Sequence, residues 1–184
     1  TGELARFYNS ARFQGEPITV EEQRLYDWLL RVQLLREEEG GVAVVDPERI
    51  LVSVPQASVV AGCPGCSVNA AQRAIILQHE LSHARFATDT VYQHYSIHFW
   101  ANVMSLSTRD KFVRFLRQRG YDASIRELCA NEMQAFLMHT PDPAMFNAAD
   151  LGVSDQELAD LRRRFQEGLG PRSRAAVDKP YKFD

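Results

Sequence analysis

The sequence predicts an α+β fold with a helical majority: a small sheet of two or three strands near the N-terminus, packed on a helical body. Three observations carry this. Short β-rich runs at 42–45, 50–54 and 57–61 follow one another closely, broken by Asp46-Pro47 and by Pro55. From Asn69 onward the chain is a succession of capped segments with apolar residues three and four apart. The 184 residues are 45% hydrophobic and 24% charged, which suits one domain with a real core. That domain spans 1–184, with an irregular arm over 1–18 and a flexible tail over 171–184.

The elements follow in order. Residues 1–18 are mixed in composition and contain glycine, hence the irregular arm. Thr19-Val20-Glu21-Glu22 reads as a capping box, in which the Thr oxygen and the Glu carboxylate satisfy free N–H groups. Leu25, Trp28, Leu29, Val32 and Leu35 then recur at helical spacing, and Gly40-Gly41 ends that helix. Pro55 has no N–H to give a ladder, so its run belongs at a sheet edge or a break. Asn69 to Gln72 resembles a second capping box, opening a helix that runs through Arg85. An apolar helical segment follows at 91–104. Ser107 to Asp110 caps a third helix, bearing Phe112, Phe115 and Leu116, and 125–138 makes a fourth. Ser154-Asp155-Gln156-Glu157 caps a fifth, ending near Gly168-Leu169-Gly170.

Charge and cysteine content narrow the function. A net charge of -3 lacks the basic excess that coating nucleic acid or an anionic membrane demands. No apolar run approaches a bilayer span. The chain opens on Thr1 rather than Met, as a processed or trimmed chain would. Cys63 and Cys66 flank a Pro-Gly pair. A short disulfide there implies an oxidising compartment, periplasmic or secreted, whereas two free thiols leave a cytoplasmic location. No second close pair exists to complete a structural zinc site, and Cys129 reads as a small buried apolar residue.

The informative stretch is Ile75-Ile76-Leu77-Gln78-His79-Glu80-Leu81-Ser82-His83. Four residues apart on a helix, His79 and His83 project from one face, one turn above the other. That geometry suits two ligands of one tetrahedral metal ion. Glu80, rotated away from the metal, can take a proton from an attacking water and later deliver it to a leaving amine. Two of the chain's five histidines fall in this pattern, H-E-x-x-H, on an apolar-flanked helix.

A catalytic zinc takes a third protein ligand, and two candidates compete. Glu132 is an acid in the apolar company of Leu128, Ala130, Met133 and Phe136, which costs free energy unless something compensates its charge. Asp89 stands six residues after His83, where short-spaced enzymes of this type place theirs. Those enzymes turn the chain at a glycine, however, where this one has Phe86, and Asp89 also reads as the N-cap of the next helix.

His79-Glu80-Leu81-Ser82-His83, followed on a later helix by Asn131-Glu132-Met133-Gln134-Ala135, resembles a gluzincin-type zinc metallopeptidase. The resemblance implies a zincin-like body holding one Zn2+ per chain, with His79, His83 and Glu132 as ligands and Glu80 as general base and acid. It also implies a sheet whose edge strand, in the region 53–61, holds an extended peptide. The chain departs from the pattern at Phe136, where related enzymes often carry an Asp that orients a ligand histidine.

The function this implies is hydrolysis of a peptide bond in a protein or peptide substrate, by a zinc-bound water that Glu80 activates. The alternatives are an amidase using the same centre on a cell-wall or other non-protein amide, and a non-catalytic module that zinc organises. His94 and His98 repeat the four-residue spacing without an acid between them and read as core or cleft histidines. One of these, or His139 on nearly the same helical face as Glu132, is a candidate to steady an oxyanion. The basic run Arg109, Lys111, Arg114, Arg117 and Arg119 interleaves with Phe112, Val113 and Phe115, the signature of a solvated helix face. Arg162-Arg163-Arg164 reads as surface.

Overall fold

A computed structural model describes residues 2–46, 49–56 and 68–170. It is mostly helical with one two-stranded antiparallel sheet, the α+β class that the sequence predicts. The chain divides into two compact units, 1–51 and 52–184.

The first unit contains α1 (Gly2–Gln14), α2 (Val20–Arg31), β1 (Leu35–Glu38) and β2 (Gly41–Val44). The strands pair with Leu35 opposite Val44 and Glu38 opposite Gly41. Most of the expected irregular arm at 1–18 is therefore helix. Its buried face is built from Ala5, Tyr8 and Ala11, and the two small alanines leave only a faint period in the sequence. Asn9 docks α1 on β2: its amide nitrogen donates to the Val42 carbonyl at 2.9 Å and its oxygen accepts from the Val42 N–H at 2.8 Å. A Cβ at Gly41 would collide with that Asn9 side chain.

The Thr19 capping box forms, each partner satisfying the other's N–H. The helix it opens does not reach Gly40, however. Gln33 takes a left-handed backbone (φ 56°), its N–H bonds the Leu30 carbonyl at 3.0 Å, and the Leu34 N–H bonds that of Leu29 at 2.9 Å. Glycine usually fills that role, so Gln33 gives no signal in the sequence. Leu35 is still buried, but as the first residue of a strand. Gly40, at φ 88°, makes the hairpin turn instead of ending a helix. The β-rich run at 42–45 matches β2, whereas 50–54 takes no regular structure. The run at 57–61, the Cys63–Cys66 pair and the tail at 171–184 lie outside the described residues.

The second unit contains α3 (Ala70–Thr88), α4 (Thr90–His98), a π-helical turn (Phe99–Val103), α5 (Leu106–Gln118), α6 (Arg126–His139), α7 (Ala148–Leu151) and α8 (Asp155–Gly168). The apolar segment at 91–104 thus becomes α4 and the π turn, closed by the Met104 N–H on the Phe99 carbonyl at 2.9 Å. Ser105, two residues before the expected cap, accepts the Thr108 N–H and starts α5. Helix α6 packs on α3, α4, α5 and α8 and is buried on most of its circumference. Around it lie Tyr92, Phe99, Phe112, Phe115, Phe146 and Phe165, all fully buried. Phe136 of α6 meets the edge of Phe115 at 4.9 Å between ring centres.

Two arginines expected on the surface anchor this packing. Arg162 donates to the Leu137 carbonyl in the last turn of α6 at 2.9 Å, and Arg164 to the Val103 carbonyl at 2.8 Å. Helix ends leave such carbonyls without intrahelical partners, and a cation there is favourable. The basic run is solvated only in part: Arg114, Arg117 and Arg119 are exposed, whereas Arg109 and Lys111 are half-buried, Lys111 reaching the Gly152 carbonyl. Arg119 also lies over the Phe115 ring and 3.6 Å from Asp150. Among the described residues no helix is long and apolar enough to cross a membrane.

Candidate metal centre

The centre forms where α3 meets α6. Helix α3 is opened by the expected Asn69–Gln72 capping box and runs unbroken to Thr88, so His79 and His83 sit one turn apart. Glu132 comes from α6, buried, and faces both. Its Oε2 lies 3.7 Å from His79 Nε2 and its Oε1 lies 3.6 Å from His83 Nε2. One ligand atom from each residue falls within 4.8 Å of the others.

Hydrogen bonds to Nδ1 orient both rings. Thr140 Oγ1 lies 3.1 Å from the Ala135 carbonyl and 2.8 Å from His79 Nδ1; when its one hydrogen goes to the carbonyl, its oxygen accepts from Nδ1. Asn131 Oδ1 accepts from Gln134 at 3.2 Å and from His83 Nδ1 at 2.9 Å. His83 therefore holds its proton on Nδ1 and turns a bare Nε2 inward, and His79 does the same in the arrangement where Thr140 donates to Ala135. The two Nε2 atoms stand 3.1 Å apart, and the buried Glu132 Oε2 beside them has no hydrogen-bond partner. Two lone pairs and an unmatched carboxylate oxygen are mutually repulsive. A cation among them relieves all three at once. Two imidazoles and a carboxylate are a donor set that suits Zn2+ and leaves a tetrahedral position open.

Asp89 is elsewhere. Its Oδ1 accepts the Tyr92 N–H at 3.0 Å as the N-cap of α4, and its Oδ2 lies 3.6 Å from Arg85. The helix continues through Phe86, which is buried, so no turn brings Asp89 back to the histidines. Phe136 makes an apolar contact here, its ring edge-on to His79 at 4.7 Å between centres. The polar contacts to the two rings come from Thr140 and Asn131. Thr140 has no signal in the sequence: it is 61 residues from its histidine and outside any motif.

Glu80 is half-buried beside the first histidine. A second residue missed by the sequence reading, Tyr121, shares its surroundings. Burial, the charge of Glu132, a hydrogen bond to Glu132 and the charge of Glu80 push the Tyr121 hydroxyl up to about 12, against the opposing pull of Arg119. It stays protonated at any ordinary pH and is a hydrogen-bond donor. Tyr121 stands in the loop between α5 and α6, where no periodicity marks it.

The other histidines separate. His94 and His98 are exposed on α4, not in the core, and His98 Nδ1 meets the Asn102 amide at 3.1 Å. His139 is buried, with Nε2 at 3.2 Å from the Tyr92 hydroxyl. Burial first, then the positive charge of Arg85 and the neighbouring His79 and His83, hold it down at about 4. It is a neutral structural group at pH 7. Cys129 is free and buried, its thiol raised by burial and directed at the Ala123 carbonyl. No protein-family model, curated protein or solved structure matches the chain.

Proposed function

We propose that the protein is a zinc-dependent hydrolase, a metallopeptidase cleaving a peptide bond in a protein or peptide substrate. The observation that carries this reading is the convergence of two imidazole Nε2 atoms and a carboxylate oxygen without a hydrogen-bond partner on one point. His79, His83 and Glu132 hold the ion. When bound, Zn2+ polarises the scissile carbonyl and brings the pKa of water down to about 7. Glu80 takes the proton of the attacking water and returns it to the leaving amine, as a carboxylate adjacent to the ligand can. Tyr121 donates a hydrogen bond to the carbonyl oxygen as it gains negative charge. The apolar wall of Phe136 keeps the ligand histidines out of bulk water, where their hydrogen bonds would be weaker.

The test is zinc content together with peptide-cleavage products for wild type and Glu80→Gln. The amide keeps the shape of the carboxylate and cannot take a proton. Glu80→Gln is expected to retain about one zinc per chain and to lose ~100-fold or more in turnover. Full turnover in the metal-replete variant would sink the mechanism. A wild type that holds zinc and cleaves muropeptides in place of peptides would select the amidase, and one that holds zinc and hydrolyses nothing would select the non-catalytic module.

A further inference from the structure

Gln134 sits two residues past Glu132 on α6, fully buried, and touches none of the three candidate ligands. Its amide nevertheless makes three directed hydrogen bonds. The nitrogen donates to Asn131 Oδ1 at 3.2 Å and to Ser82 Oγ at 3.2 Å, and the oxygen accepts from the Tyr92 hydroxyl at 2.7 Å. The directions follow from counting hydrogens. Ser82 gives its hydroxyl hydrogen to the His79 carbonyl at 2.6 Å, so towards Gln134 it can only accept. Tyr92 gives its own to Gln134, so towards His139 Nε2 at 3.2 Å it accepts. With oxygen towards Tyr92 and nitrogen towards Ser82 and Asn131, the Gln134 amide has one orientation.

That orientation is transmitted. A donor nitrogen from Gln134 requires an oxygen from Asn131, so Asn131 presents oxygen to His83 Nδ1 as well. Were the Asn131 amide turned over, its NH2 would face His83 Nδ1. The ring would then carry its proton on Nε2, the atom that has to be bare to bind a metal.

We infer that Gln134 is a positioning residue for the centre: acting through Asn131, it holds the His83 proton on Nδ1 and keeps Nε2 open to the metal. The inference rests on the zinc reading above for what Nε2 binds, and on hydrogen-bond directions for the rest. It also accounts for a glutamine amide in the core, where an apolar side chain of equal size would fill the space without a polar group to satisfy.

Three full-length variants test it. Gln134→Met keeps the length and removes the amide. Asn131→Asp makes both atoms facing the ring acceptors, so nothing is left to misorient. The double variant combines them. Two quantities are read: the His83 tautomer in metal-stripped protein at pH 8, by nitrogen–proton correlation spectra, and zinc affinity, by chelator competition. Gln134→Met is expected to shift His83 towards the Nε2–H form and to weaken zinc ~10–100-fold, the range for losing a group that orients a ligand. The double variant is expected to return both quantities to those of Asn131→Asp alone. Wild-type tautomer and affinity in Gln134→Met, or a loss that Asn131→Asp does not rescue, would overturn the inference. Should Gln134→Met fail to fold, Tyr92→Phe combined with Ser82→Ala removes both of the hydroxyls that orient Gln134. A smaller shift of the same sign is expected there, and none would overturn the inference equally. The tautomer is read without zinc or hydrolysis, so a wild type that binds no zinc defeats the proposed function and leaves this test standing.

Discussion

Helices α3 and α6 meet at one point and contribute to it in different ways. In α3 only His79, Ser82 and Phe86 are fully buried, while residues 75–78, 80, 81 and 83–85 are half-buried. In α6 nine of fourteen residues are buried, Glu132, Gln134 and His139 among them. Helix α3 supplies the two imidazoles and the neighbouring Glu80. Helix α6 and the residue just past its end supply the counter-charge and the groups that orient both rings: Glu132, Asn131, Gln134 and Thr140. A motif on a half-buried helix can state which atoms are offered to a metal. Which way those atoms point is decided by the buried helix behind them, where every polar group must have a partner.

Variants of the two helices can break or sharpen that division. The largest effect is expected from Glu132→Ala, which removes the proposed third ligand: zinc affinity should fall by more than the ~10–100-fold typical of lost orienting groups, as read by chelator competition. Retained affinity would show that the centre does not need α6. The next effect is a pH dependence. His139 is held at about 4 in the fold against an ordinary 6.5, so between those values the unfolded chain binds a proton that the folded chain does not. Stability should therefore rise with pH through this window and be lost as pH falls, by about 3 kcal/mol across it. Urea unfolding between pH 4.5 and 7 should show a steeper dependence for wild type than for His139→Gln, which keeps a donor towards Tyr92. Parallel curves would contradict it. Thr140→Val leaves the His79 Nδ1 hydrogen without an acceptor and should cost about 1–3 kcal/mol of stability along with zinc affinity. Smallest is Asp89→Ala, a lost helix cap of about 1 kcal/mol with zinc binding unchanged. Zinc lost in Asp89→Ala and kept in Glu132→Ala would reverse the choice between the two acids.

The same contrast explains what could be read from the sequence. His79 and His83 were legible because helical spacing alone brings i and i+4 together. Glu132 was legible because a carboxylate among Leu128, Ala130, Met133 and Phe136 needs a reason to be there. The roles of Asn131 and Gln134, which stand in the motif stretch 131–135, and of Thr140 and Tyr121 were not, because they depend on partners on other elements, such as His83, Ser82 and His79, that no local pattern encodes. The capping boxes at Thr19, Asn69 and Ser154 were legible for the opposite reason: both partners sit three residues apart. Helix α1 was missed because Ala5 and Ala11 carry little hydrophobic signal, and the end of α2 because Gln33 stands where a glycine would have announced it. Arg164 is exposed as expected, but the anchoring by it and by the half-buried Arg162 was missed because a basic run looks only solvated until the carbonyls it caps are known.

X-ray absorption at the zinc edge of the zinc-loaded protein tests the central claim most directly. His79, His83 and Glu132 predict one zinc per chain. They also predict two imidazole nitrogens and carboxylate oxygen at ~2.0–2.2 Å, with no sulfur, and the loss of the carboxylate contribution in Glu132→Ala. Sulfur scattering at ~2.3 Å would move the site to the cysteines, and a wild type that binds no zinc would leave the three side chains without the cation their geometry calls for.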